Sequence, residues 1–400
     1  MRDLTIPSDT LARAGLGAGD DLIVEAAPGH VRVFSDRVRK VYVESTSRCN
    51  LDCRMCVRHG WSDPPGHMPV EGFERLMDGI PPADPPVTLT FGGFGEPLVH
   101  PEWRRLLALA GERGLRVEFI TNGLLLGPEA AREMVERGVG QVTVSFDGGD
   151  EESYAWMRGT GAVGALAAVH HLREARRRAR HQVTLGVAAV ATRTNVASLP
   201  KLFEWASDIE LDFLSIGNLL PHTEEMAGEV LWERTGWASV FRPSSWRPQV
   251  RLGRFDVEEA TRPLAVAMAG RSLVHPSPSV DPAPWRNYCR FAHEGMCAVG
   301  WDGRVTPCLS LLHGHDEYVN HQTRRVDAYV VGRVDERPLA EIWRSEEFRA
   351  FRRRIREFDF PPCFHCGGCH FTETNQEDCY GNPAPVCGAC PWAQGIVLCP

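Results

Sequence analysis

Cys49, Cys53 and Cys56 stand in the segment KVYVESTSRCNLDCRMCVRHGW, spaced C-x3-C-x2-C directly behind an apolar run that reads as a strand. Thiolates are soft ligands suited to zinc and to iron–sulfur clusters. Three are one short of the usual four for a 4Fe–4S cluster, so a cluster on this loop keeps one iron open. An open coordination position is what a metal needs if it is to bind a substrate, and the amine and carboxylate of an amino acid are suited to chelate it. A zinc site completed by His59 is the other reading of the same residues.

Ten further cysteines follow: Cys289, Cys297 and Cys308, then Cys363-x2-Cys366-x2-Cys369-x9-Cys379, then Cys387-x2-Cys390-x8-Cys399. Disulfides are one account of such density. However, the start of the chain, MRDLTIPSDTLARAG, lacks the apolar core of a signal peptide. The expected location is therefore cytoplasmic, where thiols stay reduced, and CxxC spacings then favour metal. Residues 285–400 read as a metal-nucleated domain whose ligation substitutes for part of a hydrophobic core. A zinc ribbon built on Cys387 and Cys390 with another CxxC pair is the alternative.

These ligands need a scaffold. From Arg39 the chain alternates strand, loop and helix, with apolar strand candidates at 40–44, 87–91, 116–120, 141–146, 182–190 and 213–217. Helical candidates fall near 101–113, 128–137, 162–178 and 198–207. The alternation predicts parallel pairing. The expected fold is α/β: a partial (β/α)6 TIM-like barrel over 39–220, with a doubly wound sheet as the runner-up. Ligand sites in such folds lie at the carboxyl ends of strands, and four motifs follow their strands in order. They are the cysteine loop; FGGFGEPLVHP with Gly93, Gly95 and Glu96; the turn Thr121-Asn122-Gly123; and Ser145-Phe146-Asp147-Gly148, with Arg158 downstream. Glycine permits positive φ and close backbone approach to a ligand. Asn, Ser and Asp supply the mixed donors and acceptors that a sugar and a zwitterion need. Taken singly, each is equally a satisfied turn residue; their joint placement at one mouth sets them apart.

In these features the sequence resembles the radical S-adenosylmethionine (SAM) superfamily. The resemblance implies that the open iron holds the methionine part of SAM, and that one-electron cleavage releases a 5′-deoxyadenosyl radical that abstracts hydrogen. It implies a SAM pocket drawn from Gly93, Gly95, Glu96, Asn122, Ser145, Asp147 and Arg158, with Glu96 either accepting from the SAM ammonium or bracing its turn. The residue before the third cysteine is commonly aromatic in this family and is Met55 here; a polarizable thioether packs in such a place too.

The spacing C-x13-G-x4-C from Cys289 through Gly303 to Cys308 resembles the opening of a SPASM domain, which implies two auxiliary 4Fe–4S clusters. One split pairs Cys289, Cys297 and Cys308 with Cys379, and sets Cys363, Cys366 and Cys369 with one of Cys387, Cys390 or Cys399. The later spacings depart from the family's C-x2-C-x5-C-x3-C pattern. FGGFGEPLVHP, NLLPHTEEM and GACPWAQGIVLCP further resemble radical maturases associated with tungsten-containing aldehyde oxidoreductases. Such a resemblance implies a tungsten-containing oxidoreductase or its pterin cofactor as partner, and a low-potential electron donor such as ferredoxin or flavodoxin. A peptide substrate is the alternative, since SPASM domains often serve the crosslinking of ribosomal peptides. A non-catalytic iron–sulfur or zinc scaffold is the third reading, and the SAM-pocket motifs weigh against it.

Composition bounds the rest. A net charge of −8 offers no global basic field to nucleic acid, and the Arg-rich run 173–180 reads as a solvated helix face. No stretch approaches the ~18 apolar residues of a membrane span. Residues 1–38 read as a small β-rich unit resembling the AbrB type of swapped hairpin, with a structural or docking role. Residues 221–284 show no clear period and read as a bridging segment, with His222, Glu224 and Glu225 read as loop surface and, as the alternative, as facing substrate.

Overall fold

The computed structural model describes residues 5–13, 16, 22–27, 30–61, 63–179, 181–232, 241–243, 249–252, 255–256, 258–269, 274–276, 288–319, 322–361, 363 and 369–398. The chain opens with helix α1 (Ser8–Arg13) and an antiparallel hairpin of β1 (Leu22–Ala27) and β2 (His30–Ser35). Then come β3 (Lys40–Val43), α2 (Val70–Asp78), β4 (Thr88–Phe91), α3 (Trp103–Glu112), β5 (Arg116–Thr121), α4 (Pro128–Glu136) and β6 (Gln141–Ser145). Helices α5 (Glu151–Arg158) and α6 (Val163–Arg177) lead to β7 (Thr184–Ala191), α7 (Pro200–Asp208) and β8 (Phe213–Asn218). Strands β3 to β8 lie side by side in chain order, every pair parallel. That is the consecutive order of a partial β/α barrel and not the reversed order of a doubly wound sheet.

Alternating apolar residues on four strands explain why these segments hold together. Val41, Val43, Leu89, Phe91, Val117, Phe119, Val142 and Val144 alternate along their strands and enter one core beneath the helices. Phe73 of α2 stacks on Phe91 at 5.7 Å, and Phe91 on Phe119 at 4.7 Å; burying one such ring is worth roughly 1.5–3 kcal/mol. Residues between them in sequence, among them Tyr42 and Ile120, face the other side of the sheet.

The sheet does not stop at the expected strands. After α8 (Glu224–Ala227) and β9 (Phe241–Pro243), strand β10 (Gln249–Leu252) pairs parallel with β8, so the bridging segment extends one edge. Helix α9 (Arg262–Ala269) and β11 (Val274–Pro276), which pairs with β9, follow. Within 221–284, residues 233–240, 244–248, 253–254, 257, 270–273 and 277–284 lie outside the described residues. Beyond α10 (Arg290–His293), strand β12 (Met296–Val299) joins the opposite edge, parallel to β3. Strands β13 (Arg304–Thr306), β14 (His315–Val319), β15 (Gln322–Val326) and β16 (Gly332–Arg333) precede α11 (Leu339–Arg344) and α12 (Glu346–Glu357). The resulting ten-stranded sheet runs β10-β8-β7-β6-β5-β4-β3-β12-β13-β16, and β14 pairs with β15 apart from it. No helix among the described residues is long and apolar enough to cross a membrane.

Candidate active site and cysteine groups

The first cysteine loop leaves the carboxyl end of β3 and is shaped by its own backbone: Cys56 N donates to Cys53 O at 3.0 Å and Leu51 N to Cys49 Sγ at 3.4 Å. Each sulfur faces a donor. Arg58 Nε lies 3.2 Å from Cys56 Sγ, Asn122 Nδ2 3.8 Å from Cys49 Sγ, and an Arg158 guanidinium nitrogen 3.8 Å from Cys53 Sγ. Burial pushes the Cys53 thiol up to about 11 and Cys49 above its ordinary value. Thiols held neutral in this way release protons when a metal takes their place. His59 is not turned to the sulfurs: its Nε2 lies 3.1 Å from Cys53 O and 3.4 Å from an Asp52 oxygen. Among the described residues no three His, Cys, Asp or Glu side chains are arranged to hold a metal ion directly; the thiols of this loop act on one another through charge.

The glycine-rich turn after β4 packs beneath that loop. At Gly95 a Cβ would lie 2.0 Å from Thr46 O and 2.8 Å from Arg48 O, so no side chain fits. Gly93 has φ of +148°, and a Cβ there would meet the Glu44 side chain at 3.0 Å. Glu96 is 3% exposed and both its oxygens are taken. Oε1 accepts from Leu98 N at 3.1 Å and the Thr121 hydroxyl at 2.7 Å, and Oε2 from Asn122 N at 2.7 Å. Burial pushes this carboxyl up, and the three donors act in the opposite sense. Of the two roles expected for Glu96, this geometry matches the brace. Asn122 also donates to Asn50 Oδ1 at 2.8 Å, tying the TNG turn to the cysteine loop.

Asp147 is fully buried, pairs with Arg158 at 2.5 Å and accepts from Val190 N at 2.6 Å. It aims Arg158 at Cys53, with Oδ1 held by Val190 N and Oδ2 in the ion pair. Ser145 ends β6 half-buried, on the face opposite Val142 and Val144. The structure thus brings Asn122 and Arg158 to the sulfurs, leaves Ser145 at the strand ends, and sets Glu96 and Asp147 behind them.

Sequence reasoning missed a second polar group at the same end. Glu44 follows β3, and its oxygens meet Phe94 N at 3.3 Å and His313 Nε2 at 2.8 Å. His313 Nδ1 lies 2.7 Å from Asp63 Oδ2, which Arg304 also reaches at 3.0 Å. The Trp61 ring sits 4.0 Å from the His313 ring. Burial opposes protonation of His313, but Glu44 and Asp63 together raise its pKa above the ordinary value. A carboxylate ending an apolar strand was the one signal in the sequence.

His222 is not loop surface. It is 9% exposed, with its ring 5.2 Å from that of His315 and its Nδ1 3.0 Å from Asp316 O. The reason is that β14 packs over the loop after β8, with Tyr318 N donating to Pro221 O at 3.0 Å. Burial pushes His222 down to about 4. Glu225 does remain exposed, paired with Arg54 at 2.6 Å.

The later thiols fall into two groups by mutual charge. Cys289, Cys390 and Cys387 act on Cys308, and Cys390 acts on Cys289 and Cys387, all four being partly buried. Burial pushes Cys289 up to about 12 and Cys308 and Cys387 well above their ordinary value. Backbone N–H groups point at the sulfurs: Ala292 and Phe291 at Cys289, Leu311 at Cys308, Ala393 and Trp392 at Cys390. Such donors are among the features that tune iron–sulfur sites. In the second group Cys363, pushed up to about 11 by burial, is acted on by the charge of Cys379 and Cys369. Cys366 and Cys399 lie outside the described residues.

This grouping differs from the expected split. Cys379 goes with Cys363 and Cys369, whereas Cys387 and Cys390 go with Cys289 and Cys308. Cys297 stands with neither group. It sits in β12 opposite Val41, completely buried within the apolar core, where burial pushes its thiol up to about 12. A strand sends alternate side chains to opposite faces, and its neighbours Met296 and Ala298 enter a different cluster.

Residues 43–194 match the radical SAM superfamily, and residues 289–370 match SPASM, an iron–sulfur cluster-binding domain. Over 368 residues the chain is 30% identical to the tungsten-containing aldehyde ferredoxin oxidoreductase cofactor-modifying protein of Pyrococcus furiosus, covering 91% of this chain and 97% of that one. It is 30% identical over 275 residues to a mycofactocin maturase of Mycobacterium tuberculosis, covering 68% of this chain and 64% of that one. The crystal structure of Streptococcus suis SuiB bound to the precursor peptide SuiA shares the fold, with a TM-score of 0.53 at 14% identity over 83% of this chain and 70% of that one.

Proposed function

Since the chain belongs to the radical SAM superfamily as a radical SAM/SPASM enzyme, we propose that it matures a tungsten-containing aldehyde oxidoreductase or that enzyme's pterin cofactor. The observation that carries the reading is the 30% identity to the cofactor-modifying protein, sustained over 91% of the chain.

Cys49, Cys53 and Cys56 hold the first 4Fe–4S cluster, which when bound supplies the electron that cleaves SAM to a 5′-deoxyadenosyl radical able to take hydrogen from carbon. Three thiols from one loop, each facing a donor, suit a cluster that leaves its fourth position to a substrate. Arg58, Asn122 and Arg158 offset the charge of the thiolates. Asp147 fixes Arg158, and Glu96 fixes the backbone of Asn122. Gly93 and Gly95 let the turn pass close enough for its backbone to meet the SAM amine, and Ser145 offers its hydroxyl to the ribose. Trp61 and His313 wall the same end and exclude water from the radical. Cys289, Cys308, Cys387 and Cys390 hold one auxiliary cluster; Cys363, Cys366, Cys369 and Cys379 hold the other. A ferredoxin or flavodoxin delivers the electrons. The second reading is modification of a peptide, which the SPASM match accommodates; the chain's likeness to a mycofactocin maturase fits a maturation role of either kind.

Anaerobic reconstitution is expected to give about twelve iron per chain, four per cluster. With reductant and SAM the chain forms 5′-deoxyadenosine, and the Cys49/Cys53/Cys56→Ala variant forms none. Deleting the gene is expected to leave the host's tungsten-containing oxidoreductase expressed but inactive, restored by the wild type and not by the triple variant. A fully active oxidoreductase in the deletion strain moves the assignment to a peptide substrate, and a chain that takes up zinc and no iron overturns both readings.

A further inference from the structure

A buried cation lies against one later thiol group, on a strand whose Gln322 reaches Thr372 beside the other. Arg324, on β15, is 5% exposed. It donates to Ala389 O, the carbonyl directly before Cys390, at 3.2 Å. Its cross-strand neighbour is Glu317 on β14, at 3.4 Å, and that carboxylate is shared with His315 at 3.2 Å. The Arg324 Nε is buried without a hydrogen-bond partner. Its charge acts on Cys387 and Cys390 in one group and on Cys363 in the other, against the burial that pushes all three thiols up. A guanidinium withdrawn from water with one long, divided ion pair and an idle N–H is costly to bury. Four thiolates around a 4Fe–4S core leave a net negative charge, so filling both sites offsets that cost.

We propose that Arg324 is a positioning residue shared by the two auxiliary cluster sites, holding the 387–390 turn and raising the reduction potential of both clusters by its charge. Reduction adds one negative charge to a cluster, and a fixed neighbouring cation favours that form. The inference rests on the reading that both thiol groups hold iron–sulfur clusters. If Arg324 served only to tie the β14–β15 hairpin to the turn, its replacement would leave the potentials where they are.

The test is a potentiometric titration of the reconstituted full chain, followed by electron paramagnetic resonance, with iron counted in parallel. In Arg324→Gln both auxiliary signals are expected at lower potential, with iron content and the potential of the Cys49/Cys53/Cys56 cluster unchanged, and Arg324→Lys is expected to recover part of the shift. Unmoved auxiliary potentials at full iron overturn the proposal, and a shift confined to one cluster overturns the shared role. Should Arg324→Gln lose iron, the double variant Arg324→Gln/Glu317→Gln decides against Glu317→Gln alone: no carboxylate is then stranded, and both potentials are expected to be lower in the double variant. Equal potentials in the two overturn the proposal. A wild-type chain without auxiliary signals removes the reading beneath the inference together with it, whereas unmoved potentials in a filled chain remove the inference alone.

Discussion

At Gly95 the backbone of the glycine-rich turn runs against the carbonyls of Thr46 and Arg48, the very stretch that delivers Cys49. A methyl group there meets backbone and not the end of a flexible side chain, so relief requires moving the cysteine loop. We expect Gly95→Ala to cost roughly 1–3 kcal/mol through overpacking. It should also lose the loop cluster, leaving about eight iron per chain, and form little 5′-deoxyadenosine. Gly111→Ala is the control: nothing lies within 4 Å of its Cβ position, and it should keep both iron and activity. Full loop iron in Gly95→Ala would show that the turn does not position the loop. The residues of this kind were legible because their chemistry is local: three cysteines, two glycines and an asparagine lie within short motifs. Glu44 and His313 were not, because their contact joins residues 269 apart, and no spacing in the sequence encodes it.

Elements were legible where burial imposes a period. The six strands from β3 to β8 and the helices α3, α4, α6 and α7 carry apolar runs that tertiary packing then uses on the expected faces. Helix α2 escaped notice because SDPPGHMPVEGF reads as loop until Phe73, Leu76 and Met77 are seen to share a face. Strand β12 escaped for a chemical reason: MCAV contains a cysteine, and ten late cysteines invited a ligand reading of each. Its pairing to β3 instead buries Cys297 as an apolar side chain. Removing it should therefore cost packing and no metal. Cys297→Ala is expected to lose roughly 1 kcal/mol to a small cavity and to retain about twelve iron, whereas Cys308→Ala falls to about eight. Iron counts on the two variants decide it, and a loss of four in Cys297→Ala would restore the thiol to a cluster.

The whole molecule is tied across the line where the two halves of its chemistry meet. β12 continues the sheet of the first half into the second, and Arg352 pairs with Asp36 at 2.7 Å beneath it. At the opposite end His313, 1% exposed, stands between Glu44 and Asp63. The His313 pKa is raised above its ordinary 6.5, so its contribution is fully present below that value and is lost as pH climbs through the raised one. The Asp63 pKa is lowered below 3.8, against the pull of burial, by His313 and Arg304, so its share is present above 3.8 and is lost as pH falls through the lowered value. The tie is therefore strongest between 3.8 and 6.5 and weakens toward alkaline pH. Because Asp63 is 30% exposed and screened by water, most of the effect belongs to the fully buried Glu44–His313 pair. Removing one member of such a pair strands the other and costs about 3–5 kcal/mol. We expect the thermal midpoint of the wild type to decline from pH 6 to pH 9 by a component that His313→Gln lacks, with Glu44→Gln lowered at both. Parallel pH profiles of the wild type and His313→Gln would mean that the histidine is neutral in the fold and carries no charge across the join.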